Sequence, residues 1–207
     1  MMEAGSRKLE DAARRMCDAM FSMEKNTCRT PLFNDSGDNV AKSCGALLTC
    51  ARRLLGHEPI ASLDLNASGY HFIERDCPVG KVKLIFDAGM PGPRYAAGHA
   101  HCDALSFELF IDGIPAVVNS GTYAYQDPLR QWFRGSAAHN GVWREGVEQS
   151  EMWGEHRMAR GASARFLKRE RSEDYEELSA EVVDYLHGKI TRTIRLTDDS
   201  LLITDRE

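Results

Sequence analysis

The sequence predicts an α+β protein in which a short helical hairpin precedes a mostly antiparallel β-sandwich. Near the start, apolar residues recur every three or four positions, which is typical of amphipathic helices. After Pro59 the pattern changes to short β-rich runs separated by Gly, Pro and Asp. Many short strands at this spacing are typical of a sandwich.

The helical region contains two amphipathic segments. The first runs from Ser6, a candidate N-cap, to about Met23. A loop over residues 30–39, rich in turn-forming residues, separates it from the second, which begins after Ser43 and ends at Gly56. Two helices of this size cannot cover both apolar faces between them. We therefore expect residues 1–60 to be the end of a larger helical domain.

The expected strands are residues 70–74, 82–87, 104–111, 115–119 and 139–144, with further runs near 162–168, 178–186, 189–196 and 201–204. Asp112 and Gly113 form a hairpin turn signal between the third and fourth strands. Residues 61–207 are thus the predicted sandwich domain. The chain stops just after a strand, so we expect this domain to be truncated.

Three histidines form the most informative pattern of the chain. The segment that carries His99 and His101 reads as a strand, in which alternate side chains share one face. Neutral imidazole can ligate a metal or transfer a proton near neutral pH. We expect one of the pair to ligate a metal together with His139, and the other to remain free for proton transfer. The alternative is a polar sheet face, the commoner origin of an isolated pair of this kind.

Composition excludes several classes of function. The chain has 207 residues, a formal net charge of −5 and a pI of about 5.8, so no overall positive field would attract nucleic acid. The six cysteines show no CxxC pairing, which argues against a cysteine-bound zinc site. No apolar run reaches the length of a membrane span, and the start lacks the apolar segment of a signal peptide. We therefore expect neither a nucleic-acid partner nor a membrane span.

Six segments, in this order, resemble the heparinase II/III-like family of polysaccharide lyases: 30–35 (TPLFND), 84–89 (LIFDAG), 98–109 (GHAHCDALSFEL), 119–123 (NSGTY), 133–140 (FRGSAAHN) and 149–154 (QSEMWG). The resemblance implies an α/α toroid followed by a C-terminal β-sandwich. It also implies β-elimination of uronic-acid-containing acidic polysaccharide, heparin/heparan-like or alginate-like, and a periplasmic or secreted parent protein.

The resemblance also implies roles for individual residues. His99 would be catalytic, and His101 and His139 would hold a structural Zn²⁺ together with the residue at position 119. That residue is Asn119, where an aspartate often stands. An amide oxygen brings no charge, so either the site is weakened or Asp103 or water completes it. Tyr125 is the implied active-site tyrosine, with Tyr123 as the alternative.

Several other residues are candidates for contact with an acidic sugar. Trp132 is a candidate stacking platform, whereas Trp143 is expected in the core. Arg134 is a candidate partner of a substrate carboxylate, and bracing of the His139 segment is its alternative role. Arg94 and Arg130 are further candidates for a carboxylate. The remaining histidines have no partners at ligand spacing and are expected to be structural or superficial: His57, His71, His156 and His187.

These observations favour part of a polysaccharide lyase whose missing N-terminal toroid, from the same parent chain, supplies the rest of the active site. We expect the 207-residue chain alone to be inactive. The alternative is a non-catalytic sandwich that binds carbohydrate or packs against other domains.

Overall fold

The computed structural model describes residues 2–37, 41–93 and 95–207. Two helices come first, α1 (Met2–Glu24) and α2 (Cys44–Leu55). They are followed by β1 (Asp64–Leu65), β2 (Tyr70–Cys77), β3 (Gly80–Asp87), β4 (Phe107–Ile111), β5 (Ile114–Val117), the short helix α3 (Arg130–Arg134), a 3-10 turn (Ser136–Ala138), β6 (Met152–Trp153), β7 (Arg157–Met158), β8 (Ser163–Arg171), β9 (Tyr175–Val183), β10 (Lys189–Thr197) and β11 (Leu201–Arg206). None of the described helices combines the length and apolar character of a membrane-spanning segment.

The strands form two main antiparallel sheets. One has the order β1-β2-β3-β4-β5 and the other the order β11-β10-β9-β8, and β6 and β7 make a separate small hairpin. Apolar side chains of β2, β3 and β4 pack with those of β9 and β10 in one buried cluster, so the two sheets enclose the main core. The predicted α+β fold with an antiparallel sandwich after a helical hairpin is confirmed.

Strand β3 has one face in each of two cores. Leu84 and Phe86 belong to the core between the sheets, whereas Ile85 packs on the opposite face with Phe33 and Phe72. This alternation follows from the period of two in a strand. Through Phe33, the second core attaches the segment after α1 to the sandwich. That segment lies within residues 1–60, the expected helical region.

Lys83 faces the helices from the same strand. Its Nζ donates hydrogen bonds to the carbonyl oxygens of Ser22 at 2.6 Å, Met23 at 3.0 Å and Lys25 at 2.6 Å. These carbonyls lie at the end of α1, where no following helical turn supplies donors. Burial lowers the pKa of Lys83 to about 8. A buried ammonium group therefore fixes the end of α1 to the sandwich.

Local signals in the sequence are accurate where they concern caps and turns. The Ser43 hydroxyl accepts a hydrogen bond from the Ala46 N–H, and Gly56 ends α2 with a left-handed φ of 55°. Asp112 and Gly113 both have positive φ, 50° and 80°, in a two-residue hairpin between β4 and β5. Helix α1 begins at Met2, ahead of the expected cap at Ser6.

Two expected strands are loops. Residues 98–106, which include His99 and His101, form no ladder, and neither do residues 139–144. Their backbone groups bond elsewhere: the Cys102 N–H donates to the Arg134 carbonyl at 2.8 Å and the Ala104 N–H donates to the Gln149 side chain at 3.0 Å. The strand argument for His99 and His101 is therefore wrong, and their common direction has another cause.

Candidate active site and metal centre

Asp35, in the loop after α1, is the centre of the site. Its Oδ2 lies 2.8 Å from His99 Nδ1, and its Oδ1 lies 2.8 Å from His101 Nε2. Arg130 grips the same carboxylate with Nη1 at 2.5 Å from Oδ1 and Nη2 at 2.9 Å from Oδ2. Burial alone would raise the pKa of Asp35, but hydrogen bonds from His101, Arg130 and His99 hold it well below its usual range. One ionised carboxylate therefore orients both histidines.

His99 combines a fixed ring with an accessible nitrogen. Its side chain is 77% exposed, while the carboxylate that holds Nδ1 is only 7% exposed. Because an ionised carboxylate only accepts hydrogen bonds, His99 presents N–H at Nδ1. In the neutral ring Nε2 then carries the lone pair. This is the arrangement of an oriented general base or acid.

His101 and His139 each have one buried nitrogen without a hydrogen-bond partner, Nδ1 of His101 and Nε2 of His139. The other nitrogen is occupied in each case. His101 Nε2 contacts Asp35, and His139 Nδ1 lies 2.5 Å from Asn119 Oδ1. Burial lowers the pKa of His139 to about 4, so this imidazole is neutral at neutral pH. Two buried ring nitrogens are thus left without a hydrogen-bond partner.

These two rings have a spacing that fits one metal ion. Imidazoles that ligate a tetrahedral ion at about 2.0–2.1 Å have ring centroids about 5 Å apart. The centroids of His101 and His139 are 5.3 Å apart. Within the described ranges, no three His, Cys, Asp or Glu side chains form a complete ion site. An ion at these two nitrogens would therefore need its remaining ligands from water or from other groups.

Asn119 lies behind His139 and not beside the two open nitrogens. Its Oδ1 accepts from His139 Nδ1 and from the Ser120 N–H at 3.0 Å, and its Nδ2 donates to Ser106 Oγ at 3.0 Å. The amide thereby fixes which His139 nitrogen carries the proton. Asp103 is buried and acts on His139 through its charge, while its Oδ2 accepts from the Asn34 N–H at 2.7 Å.

The remaining predicted aromatic residues lie in different surroundings. Tyr125 lies beside His99 with ring centroids 6.2 Å apart, and Trp132 is exposed on α3. Tyr123 instead stacks on Phe133 at 5.6 Å. Trp143 is 40% exposed, so the expectation of a core position for it is wrong. Arg94 lies outside the described residues.

Arg134 is completely buried and does not reach solvent. Its guanidinium donates to the carbonyl oxygens of Ala100 at 3.1 Å, Gly154 at 3.1 Å and Glu155 at 3.0 Å. It therefore braces the loops around the site, which is the second of its two expected roles. Contact with a substrate carboxylate would require these bonds to break.

Sequence reasoning missed Asp35, the role of Arg130 and the position of His156. Asp35 lies 64 residues before His99, so no local spacing connects them. Its only signal was its membership of the segment 30–35 in the resemblance. His156, expected to be isolated, has its ring centroid 6.2 Å from that of His99 and 5.4 Å from that of Tyr125. Tertiary contacts between loops, invisible to periodicity, produce this grouping.

Comparisons with known proteins agree with the fold. The sequence profile described as "Heparinase II/III-like, C-terminal" matches residues 58–206. No curated protein sequence matches the chain. Among solved structures, a heparinase III has a TM-score of 0.65 at 18% identity and covers 97% of this chain and 34% of its own. A mutant of the heparan sulfate lyase HepC from Pedobacter heparinus has a TM-score of 0.56 at 18% identity, covering 90% and 31%. The chain spans about a third of the length of these proteins.

Proposed function

Because the chain belongs to the heparinase II/III-like family and matches its C-terminal domain, we propose that it forms the sandwich side of a polysaccharide lyase active site. The substrate is a uronic-acid-containing acidic polysaccharide, cleaved by β-elimination. The observation that carries this proposal is the pair of Asp35 and His99, in which a buried carboxylate orients an exposed imidazole. A heparan sulfate lyase among the similar structures supports this class of substrate.

The reaction requires three kinds of group. A base removes the proton from the carbon next to the uronate carboxylate, and that electron pair forms a carbon–carbon double bond. The bond from the neighbouring carbon to the glycosidic oxygen breaks, and this oxygen receives a proton from an acid. Positive charge or hydrogen-bond donors near the carboxylate stabilise the enolate-like intermediate. The products are an unsaturated uronate and a new free sugar hydroxyl.

His99 and Tyr125 meet the first two requirements. The bond from His99 Nδ1–H to Asp35 leaves Nε2 to accept or return a proton, and the nearby Tyr125 hydroxyl is the second proton-transfer group. Their ring separation of 6.2 Å allows both to contact one sugar residue. Trp132, exposed on α3, offers a face for stacking against the apolar side of a neighbouring sugar.

A zinc ion held by His101 Nδ1 and His139 Nε2 is the second part of the proposal. The two unpartnered buried nitrogens support it, because such atoms are destabilising without a ligand. Asn119 orients His139 in the way that an oxygen acceptor behind a metal-ligating histidine does, and water or groups of the parent protein would complete the shell. The ion would cross-link the loops that carry His101 and His139.

The chain supplies only part of the site. It spans about a third of the length of the similar lyases, and we propose that a toroid domain of the same parent chain supplies the remaining groups. The chain alone should then show little or no turnover.

The test uses the parent protein and measures the ultraviolet absorbance of the unsaturated product, zinc by elemental analysis and the melting temperature. We expect His99→Ala to reduce turnover by about 10²–10⁴-fold with zinc retained, because a positioned acid or base is lost. His101→Ala should reduce zinc, stability and turnover together. His187→Asn, at an exposed hairpin residue with a left-handed φ of 67°, is the control. Full turnover by His99→Ala would overturn the assignment, and equal, negligible zinc in wild type and His101→Ala would overturn the metal site.

A further inference from the structure

We propose that His156 is a substrate-binding residue of the same cleft and binds an anionic group of the sugar chain beside His99 and Tyr125. This inference rests on the proposed function and adds a residue to its site.

The three rings form a triangle that is open to solvent. The centroid of His99 lies 6.2 Å from those of Tyr125 and His156, and the latter two lie 5.4 Å apart. The rings are inclined to one another, with interplanar angles of 80°, 61° and 38°. The three rings are therefore inclined neighbours and do not stack into a closed cluster. His99 and His156 are exposed and Tyr125 is 38% exposed.

Hydrogen bonds from a buried side chain hold the loop that carries His156 in place. The Gly154 and Glu155 carbonyls, which precede it, accept hydrogen bonds from the buried Arg134 at 3.1 and 3.0 Å. The backbone of His156 also lies close to the segment that carries His99: a Cβ on Gly98 would lie only 3.2 Å from the His156 carbonyl oxygen. The proximity of His156 to His99 thus follows from a fixed backbone.

Arg130 connects all three corners of the triangle. Its Nη atoms hold Asp35, which orients His99, and its Nε donates to the Glu155 carbonyl at 3.2 Å. Its guanidinium carbon lies 5.1 Å from the centre of the Tyr125 ring. Because Arg130 is only 1% exposed, it positions these groups from the interior and leaves the exposed rings to a ligand.

The polar atoms at the rim are available to such a ligand. Among the described residues, no hydrogen bond occupies His99 Nε2, the Tyr125 hydroxyl or the ring nitrogens of His156. Imidazole and phenol groups donate hydrogen bonds to carboxylate or sulfate oxygens. The aromatic edges also suit the C–H surface of a pyranose ring. The chemistry of the three exposed rings therefore suits an acidic sugar.

The test measures oligosaccharide binding to the full-length parent protein in a His99→Ala background, where cleavage is slowed by about 10²–10⁴-fold. The probes are a tetrasaccharide of alternating glucuronate and N-acetylglucosamine and its sulfated counterpart, so that carboxylate and sulfate recognition are distinguished. In this background we expect His156→Ala to weaken binding about tenfold, the effect of one lost charge-assisted hydrogen bond. His156→Gln, which keeps one N–H donor, should weaken it less. The control variant is His187→Asn. The melting temperature of each variant should equal that of the His99→Ala protein.

Unchanged affinity of His156→Ala for both probes would overturn the proposal, and so would a failure of the His99→Ala protein to bind either probe. Turnover by the protein without substitutions is measured separately. Binding that depends on His156 without any unsaturated product would support this proposal and overturn the lyase function. Product formation with a KM unaffected by His156→Ala would support the lyase function and overturn the proposed role of His156.

Discussion

Lys83→Met tests whether the buried ammonium group fixes the helical pair to the sandwich. The substitution keeps a long, unbranched side chain and removes the charge and its three donated hydrogen bonds. The carbonyl oxygens of Ser22, Met23 and Lys25 would then lose the Lys83 donor. We expect α1 to fray at its end and the chain to become less stable.

Two opposing effects set the magnitude. Leaving a buried carbonyl without a donor costs about 1–3 kcal/mol, so three of them cost about 6 kcal/mol. Burial lowers the pKa of Lys83 from 10.5 to about 8, and removing that charge returns about 3 kcal/mol at pH 7. The net loss in free energy of unfolding is about 3 kcal/mol. For a chain of this length this corresponds to a melting temperature lower by roughly 10 °C.

Chemical denaturation at several pH values is the assay. The unfolded lysine keeps its proton to about pH 10.5, whereas folded Lys83 releases it near pH 8, so the unfolded chain binds more protons between these values. Wild-type stability gains from Lys83 as the pH rises through this window. The charges that act on it, Glu74, Lys25 and Glu24, remain in both proteins. The difference between wild type and Lys83→Met should therefore widen from pH 8 to 10.5.

Lys81→Met is the matched control on the same strand, because Lys81 is exposed and has only a 4.0 Å ion pair with Asp76. Its effect should stay within about 0.5 kcal/mol. If Lys83→Met were as stable as wild type at pH 7, the argument from the helix carbonyls would be wrong. A difference that stays constant from pH 7.5 to 10.5 would show that burial does not lower the pKa of Lys83.

Two further predictions concern the site and the surface. In the parent protein, Asp35→Asn should reduce turnover by at least about 10²-fold and lower the melting temperature, because His99 loses its acceptor and buried Arg130 its counter-charge. Asp198→Asn, at an exposed pair with Arg75, is its control, and wild-type turnover in Asp35→Asn would contradict the assignment. Met16 and Leu54 are 72% and 74% exposed on the helices, so the 207-residue chain should self-associate in light scattering and Met16→Glu with Leu54→Glu should reduce this. A wild-type chain that is monomeric at moderate concentration would count against an adhesive helical face.

Local chemistry explains which parts of the fold were predictable. The cap at Ser43, the helix end at Gly56 and the turn at Asp112 and Gly113 depend on one or a few neighbouring residues, and all three are confirmed. In the strands of the sandwich, successive side chains alternate between two faces. In β3 both faces are apolar, and each lies in a different core. Such signals survive folding because they do not depend on distant parts of the chain.

The loops that build the site were not predictable in the same way. Residues 98–106 and 139–144 look like strands because they are short and partly apolar. Backbone groups of the first loop instead bond to side chains far away in sequence: Gln149 holds Ala104, and Asn34 holds His101. His99 and His101 point to one place because both bind Asp35, and no strand is involved. A pattern read along the chain cannot reveal a carboxylate that arrives from another loop.

The position of Asp35 has a practical consequence for anyone who cuts this domain out. The family profile starts at residue 58, and a fragment with those bounds would look like a complete sandwich. It would nevertheless lack the carboxylate that pairs with Arg130, the acceptor of two histidines and the helix end that Lys83 caps. Arg130 would then lose its counter-charge, and the face of β3 that carries Lys83 would be uncovered. A fragment meant to preserve these contacts has to begin before α1 ends, well ahead of residue 58, where the family profile starts.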